Sequence, residues 1–157
     1  MPINQEELRG FILEAGRATY AAGGNVKGEK QPDGSTTFQY ENDSYKYHDN
    51  YFGGEPYGGR EVVFLNEKPI WMMVYYGLVH EGSDLKEVYP FLMECLSNSS
   101  VDIPYRGPAS YARDAFTYEN KLEGSVEHFS GTEKIFQAAV LVYEASYIGG
   151  LVDRINE

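Results

Sequence analysis

The stretch Gly59-Arg60-Glu61-Val62-Val63-Phe64, followed by Trp71, Tyr75 and Gly77, returns 72 residues later as Gly131-Thr132-Glu133-Lys134-Ile135-Phe136 with Tyr143, Tyr147 and Gly149. Upstream of it, Phe38-Gln39-Tyr40-Glu41-Asn42 returns as Phe116-Thr117-Tyr118-Glu119-Asn120 at a shift of 78, so the six-residue difference falls in one loop. Such self-similarity predicts a duplication, with repeats at 4–79 and 83–152 inside a single domain spanning 1–157. The expected fold class is α+β: a duplicated α-β4 unit forming a curved antiparallel sheet of about eight strands, with two helices on one side. The alternative is a pair of separate four-stranded sheets around a cleft.

Each repeat opens on a helical pattern. Leu8, Phe11, Ile12, Ala15 and Thr19 recur at the three/four spacing that puts them on one helix face. Asn4 is placed to cap the helix with Glu7 reaching back, Ile3 to staple onto Leu8, and Gly23-Gly24 to end it. In the second repeat Leu85, Val88, Leu92 and Leu96 mark the helix, with Ser83 as N-cap and Pro90 predicting a kink or a start near Tyr89. The remaining segments alternate Tyr, Phe, Val and Thr with polar residues, the pattern of half-buried strands. Thr36–Glu41 and Ser44–Asp49 flank an Asn42-Asp43 turn, and Glu61–Leu65 and Ile70–Val79 flank residues 66–69. Ala115–Glu119 and Ser125–Phe129 flank a loop at Asn120–Gly124, and Lys134–Gln137 precedes Val140–Ile148.

Because strand side chains alternate, the repeat also predicts faces. Phe38 is expected opposite Tyr47 and Tyr40 opposite Tyr45. Their side, continued by Tyr51, Trp71, Met73, Tyr75, Phe129, Tyr143, Ala145 and Tyr147, is retained between repeats and reads as the helix-covered core. The other side varies. It carries His48, Asn50, Met72, Tyr76 and His128, apolar strand residues beside donors and acceptors, and is where recognition is expected.

Composition sets the classes that remain. Twenty-four acidic residues against 13 basic ones give a formal charge of -11, a field that disfavours direct nucleic-acid binding. Glu6 and Glu7 near the start argue against a signal peptide. The longest uncharged stretch, Pro69–Val79, has eleven residues, about half of what a membrane-spanning helix needs. With Cys95 the sole thiol, a cytoplasmic location and no membrane association are expected.

The candidate chemistry is sparse. His48 and Asp49 are adjacent on a strand and point to opposite faces, so they do not form a catalytic pair. His48, His128 and Glu144 are zinc-compatible residue types, but unrelated surface histidines explain them as well, and no metal or other cofactor is expected. The Gly-Gly pairs at 53, 58 and 149 open no helix, so they read as bulges and corners and not as a phosphate cradle. Arg106, in a stiff Pro-Tyr-Arg-Gly-Pro turn, is expected to anchor a buried loop through carbonyls or Glu55, or to fork onto a ligand carboxylate. Glu55 and Glu61 bracket Tyr57-Gly58-Gly59 and read as solvated. In an acidic chain with 23 aromatic residues, carboxylates beside aromatic rings also suit a lipophilic cation.

The run Tyr51-Phe52-Gly53-Gly54-Glu55, Trp71 with Tyr75-Tyr76-Gly77, Pro104-Tyr105-Arg106-Gly107-Pro108, and Tyr143 with Gly149-Gly150 resembles an uncharacterised bacterial family of domains of unknown function. Its members are free-standing or fused behind helix-turn-helix DNA-binding domains, and the resemblance spans residues 8 to 153. It carries over no catalytic residues. Many relatives place His before the last Gly-Gly, where this chain has Ile148. The resemblance implies a sensory or interaction role by association with regulators, with no segment expected here for a DNA-binding domain. The expected function is a non-catalytic sensor or binding module for a small, aromatic or cationic ligand, with His48, Asn50, Met72, Tyr76, His128, Glu55, Tyr57 and Arg106 as ligand-binding candidates. A protein-binding, inhibitor-like module with a concave sheet face is the second reading and a small-molecule enzyme the third. The expected partner is a small molecule or a protein, and a homodimer is compatible with either.

Overall fold

Asn4 opens the first helix through its side-chain oxygen, which accepts from the amides of Glu6 (3.1 Å) and Glu7 (3.2 Å) in the computed structural model, which describes residues 2–156. Helix α1, Gln5–Ala18, buries Leu8, Phe11, Ile12 and Ala15 on the expected face. It ends at Ala18 and not at Gly23-Gly24. The Thr19 hydroxyl donates to the Ala15 carbonyl at 2.7 Å, and a 3-10 turn, Tyr20–Asn25, follows. Helix α2, Leu85–Ser97, is capped by Asp84, whose carboxylate accepts from the Lys86 amide at 2.9 Å, so the cap is one residue later than Ser83. The helix starts before Pro90 and runs through it. Pro90 and Lys86 are both exposed, so the carbonyl deprived of an amide partner faces water.

Among the described residues nine strands form one open antiparallel sheet: β1 Glu29–Lys30, β2 Thr36–Asn42, β3 Tyr45–Phe52, β4 Tyr57–Leu65, β5 Lys68–Val79, β6 Ser110–Arg113, β7 Phe116–Ser125, β8 His128–Gln137 and β9 Val140–Leu151. Their order is β1-β2-β3-β4-β5-β9-β8-β7-β6, so each half of the chain is a meander and the halves meet where β5 pairs β9. The fold is α+β with a curved sheet and two helices, and a division into two separate sheets is excluded.

Three sequence expectations are corrected. The first turn is Asp43-Ser44, with Asp43 at φ +54°, and Phe38 faces Asp49 while Tyr40 faces Tyr47. This slip is two residues, which leaves every side chain on its expected face. Asn120–Gly124 is part of β7 and not a loop; the β7–β8 turn is Val126-Glu127. Asn120 reads as a turn residue but is buried, donating to the Gly107 carbonyl (2.8 Å) and accepting from the Tyr147 hydroxyl (2.6 Å). The Gly-Gly pair at 53 turns the corner between β3 and β4, with Gly53 at φ +81°, but no pair sits at the two irregularities in the ladders, which fall at Val63/Phe64 and Ile135/Phe136. Instead, rings lie across glycines: a Cβ on Gly59 would stand 2.7 Å from the Tyr75 hydroxyl, and one on Gly131 2.1 Å from Cζ of Tyr147.

The 72-residue shift governs placement in the sheet. Tyr75 and its shift equivalent Tyr147 are directly opposite on β5 and β9, so the two halves meet there about a pseudo-twofold axis, with Trp71 opposite Leu151 and Val79 opposite Tyr143. The irregularities at 63/64 and 135/136 are related by the same shift, as are the turns Asn66-Glu67 (φ +50°, +68°) and Ala138-Ala139 (φ +48°, +66°). The Phe38–Asn42 match is different. β7 stands where β3 stands in the first half, since Tyr47 faces Val63 as Tyr118 faces Ile135, and the counterpart of β2 is β6, with Tyr40 facing Tyr47 as Tyr111 faces Tyr118.

The retained face is the core. Trp71 is fully buried under α1, with its ring near-parallel to those of Tyr105 (6.0 Å between ring centres) and Phe129 (5.7 Å), which stack on each other at 4.1 Å. Tyr143, Ile135 and Phe116 pack with Phe91, Leu92 and Cys95 of α2. No helix among the described residues is long and apolar enough to cross a membrane.

Candidate functional site

Equivalent registers in the two halves put a carboxylate pair in the first and an amide–carboxylate pair in the second. On the covered face Asp49 of β3 is directly opposite Glu61 of β4, and in the second half Asn120 of β7 is directly opposite Glu133 of β8. The surroundings match residue for residue. The Tyr75 hydroxyl donates to Asp49 at 2.5 Å as that of Tyr147 donates to Asn120 at 2.6 Å, and Tyr47 stands by Glu61 where Tyr118 donates to Glu133. All four acidic and amide side chains are buried: Asp49 3%, Glu61 1%, Asn120 4% and Glu133 0% exposed.

The halves differ in what meets the glutamate. In the second half the Arg106 guanidinium enters, its Nε donating to Glu133 at 2.6 Å and its second nitrogen to the hydroxyls of Tyr57 (3.1 Å) and Tyr143 (3.4 Å), which bond each other. Arg106 also lies 5.6 Å from the centre of the Tyr75 ring. The buried guanidinium is thus held by a carboxylate and two hydroxyls through Nε and one terminal nitrogen. In the first half neither oxygen of Glu61, nor the Tyr47 hydroxyl, makes a hydrogen bond within 3.5 Å among the described residues, although Tyr47 and Glu61 are near enough to influence each other's protonation.

Beside Glu61 there is space. A cavity of about 480 Å³ lies between the first half of the sheet, the 3-10 turn and α2, with Asp49, Glu61, Tyr75 and Arg106 in its floor and Tyr20, Tyr51 and Tyr57 around them. Its rim carries Lys30, Gly54 and Tyr89. Burial pushes Glu61 up to about 8, and the Asp49 charge opposite pushes the same way, against the easing effects of Tyr47 and Arg106. Burial likewise raises Asp49 to about 6, opposed by the Tyr75 hydrogen bond and Arg106. Two carboxylates facing across a ladder do not readily both ionise, so the pair retains a proton near neutral pH. Burial, then the two carboxylates, hold the Tyr75 hydroxyl protonated far above its usual range.

Of the eight candidates from the sequence, Tyr57 and Arg106 line this cavity. Arg106 anchors as expected, but to Glu133 and not to Glu55. Glu55 accepts from the Val79 amide at 2.8 Å and from the Tyr89 hydroxyl, tying residues 53–56 to β5 and α2. The other five lie on the uncovered face and are not gathered. His48 and Met72 border a hollow of about 430 Å³ over Val62 and Phe64. Tyr76 borders another of about 670 Å³ with Val74 and Ile148, whose polar walls, Glu119, Lys121 and Lys134, are exposed. Asn50 bonds Ser35 (2.9 Å) and Thr37 (3.1 Å), and His128 is exposed at the start of β8. Four strand steps separate β3 from β8, about 19 Å, so His48 and His128 share no metal ion. No group of metal-ligating side chains occurs among the described residues. Glu61, which reads as solvated from its flanking turns, is among the most buried residues of the molecule, and Asp49 and Glu133 also escape a reading by motif. Their signal is parity: Glu61 and Glu133 fall on the same alternation as the core residues Val63 and Ile135.

A family of domains of unknown function, DUF5680, matches residues 49–152. The chain belongs to this family. The matched DUF5680 segment contains β4, β5, α2 and all strands of the second half, and with them Asp49, Glu61 and Arg106 of the cavity floor and Glu133, the partner of Arg106. The chain finds no match among curated proteins or among solved structures.

Proposed function

We propose that this DUF5680 chain is a non-catalytic small-molecule-binding module whose ligand occupies the cavity between α2, the 3-10 turn and the first half of the sheet. The observation that carries this reading is Glu61: 1% exposed, in the cavity wall, with both oxygens unpartnered among the described residues. Leaving a buried polar group without a hydrogen bond costs roughly 1–3 kcal/mol, more for a charge, and a bound ligand removes that penalty. The aromatic walls and the volume are those of a site for a compact organic molecule. The two half-sites are read as the products of an internal duplication, one closed by Arg106 and one left open.

Gly54 offers the test. It lies at the rim, and a Cβ there meets nothing within 4 Å, so Gly54→Trp obstructs the cavity without a clash at its root. Thermal stabilisation of wild type by members of a panel of neutral and charged aromatic compounds is expected, with loss in Gly54→Trp and retention in Tyr76→Ala and His48→Ala. Loss in the latter two with retention in Gly54→Trp overturns the assignment.

A second reading, a protein-binding module using the uncovered face, is favoured by the directly paired Val74 and Ile148, 47% and 55% exposed, beside Tyr76 at 54%. Those same face variants report on it.

A further inference from the structure

The two half-sites differ by one cation. In the second, a guanidinium occupies the space in front of the Asn120–Glu133 pair; in the first, the equivalent Asp49–Glu61 pair faces a cavity. We propose that the cavity takes a small organic cation of guanidinium or ammonium type, its charged end seated on Glu61 as the Arg106 guanidinium is seated on Glu133. This rests on the small-molecule reading above and names the class of molecule.

Charge supports the choice. Among the described residues, three carboxylates, Asp49, Glu61 and Glu133, are buried with a single buried cation, Arg106, and Arg106 is engaged with Glu133. An anionic ligand would add to that excess. A neutral ligand would leave the Asp49–Glu61 repulsion in place, whereas a cation lets both ionise. The other groups facing the pair do not compensate it: Tyr47 from β3, Tyr75 from β5 and Tyr20 from the 3-10 turn are neutral, with Tyr20 held protonated by burial and by Glu61. Lys30 stands at the rim, donating to the Thr36 hydroxyl at 2.8 Å, and Tyr89 at the rim is bonded to Glu55. The cavity is also lined by Tyr20, Tyr51 and Tyr57, and aromatic rings attract cations that reach their faces. Because the unliganded pair holds a proton near neutral pH, seating a permanent cation expels it, and affinity rises with pH through the range in which the pair titrates.

Calorimetry with benzylguanidinium and its neutral isostere benzylurea, in two buffers of different ionisation heat at pH 7, tests this. Benzylguanidinium is expected to bind at least tenfold more tightly than benzylurea, releasing protons. Glu61→Gln is expected to abolish the preference, and Asp49→Asn, which copies the Asn120–Glu133 pair, to keep it while lowering the pH at which affinity rises. Equal binding of the two compounds, or tighter binding of benzylurea, overturns the cation while leaving the small-molecule reading in place. Binding of neither compound overturns it too, and an unchanged preference in Glu61→Gln places the cation elsewhere. Should Glu61→Gln fail to fold, proton release and the Asp49→Asn shift decide.

Discussion

Asp49 and Glu61 are directly opposite across the β3–β4 ladder, both buried, and the Tyr75 hydroxyl at 2.5 Å serves Asp49 while nothing among the described residues serves Glu61. A cross-strand pair of like charges is a place where a sheet is weakened. The fold keeps it on its covered side, against a cavity.

The pair makes the stability of the unliganded protein fall as pH rises. A folded-state pKa raised above the unfolded one means that the folded state holds more protons between the two values. The contribution is therefore complete below about pH 4, where unfolded carboxyls are protonated, and is lost as pH rises through about 6 for Asp49 and about 8 for Glu61. Melting temperatures measured from pH 4 to 9 should decline less in Glu61→Gln than in wild type; parallel curves would contradict the assignment.

Arg106→Ala strands Glu133, which is fully buried, and should cost about 3–5 kcal/mol in urea unfolding. Arg113→Ala breaks an ion pair with Glu94 whose side chains are 45% and 36% exposed and screened by solvent, and should cost far less than Arg106→Ala. Arg106→Lys should fail to restore the loss, since an ammonium cannot reproduce the fork to Glu133, Tyr57 and Tyr143. Similar costs for Arg106→Ala and Arg113→Ala would refute the role given to Arg106.

Trp71→Ala removes a fully buried indole packed against the Tyr105–Phe129 stack and should cost about 3–5 kcal/mol. Tyr76→Ala, on the uncovered face, should stay within about 0.5 kcal/mol of wild type. The reverse order in denaturant midpoints would exchange the two faces.

Gly10 sits inside α1 with nothing within 4 Å of a Cβ, so Gly10→Ala should stabilise by about 0.5–1 kcal/mol. Gly131→Ala should destabilise, because its Cβ meets the Tyr147 ring that bonds Asn120. Thermal unfolding of both separates conformational entropy from the need for room under a ring.

The legible part of the fold was that in which repeated residues carry the same structural duty. Glu61, Phe64, Trp71, Tyr75 and Gly77 reappear because β4–β5 and β8–β9 have the same register, irregularity and turn. The β3–β7 correspondence was masked. Its matching residues, Tyr47 with Tyr118 and Asp49 with Asn120, are fewer than the accidental match of Phe38–Asn42, and Asn120–Gly124 has turn composition without a turn. Arg106 and Tyr57 stood out in the sequence through stiff, aromatic surroundings. Asp49 and Glu61 did not, because a buried carboxylate on a strand is indistinguishable by composition from a solvated one, and only the pairing of β3 with β4 brings the two together.

The most direct test of the account is a carboxyl-carbon NMR titration of Glu61 with and without benzylguanidinium. In the free protein Glu61 should titrate well above the ordinary glutamate range, as burial and Asp49 dictate, and in the complex it should remain ionised to markedly lower pH. A Glu61 that titrates normally in the free protein, or one whose titration is unmoved by a saturating amount of the cation, would contradict it.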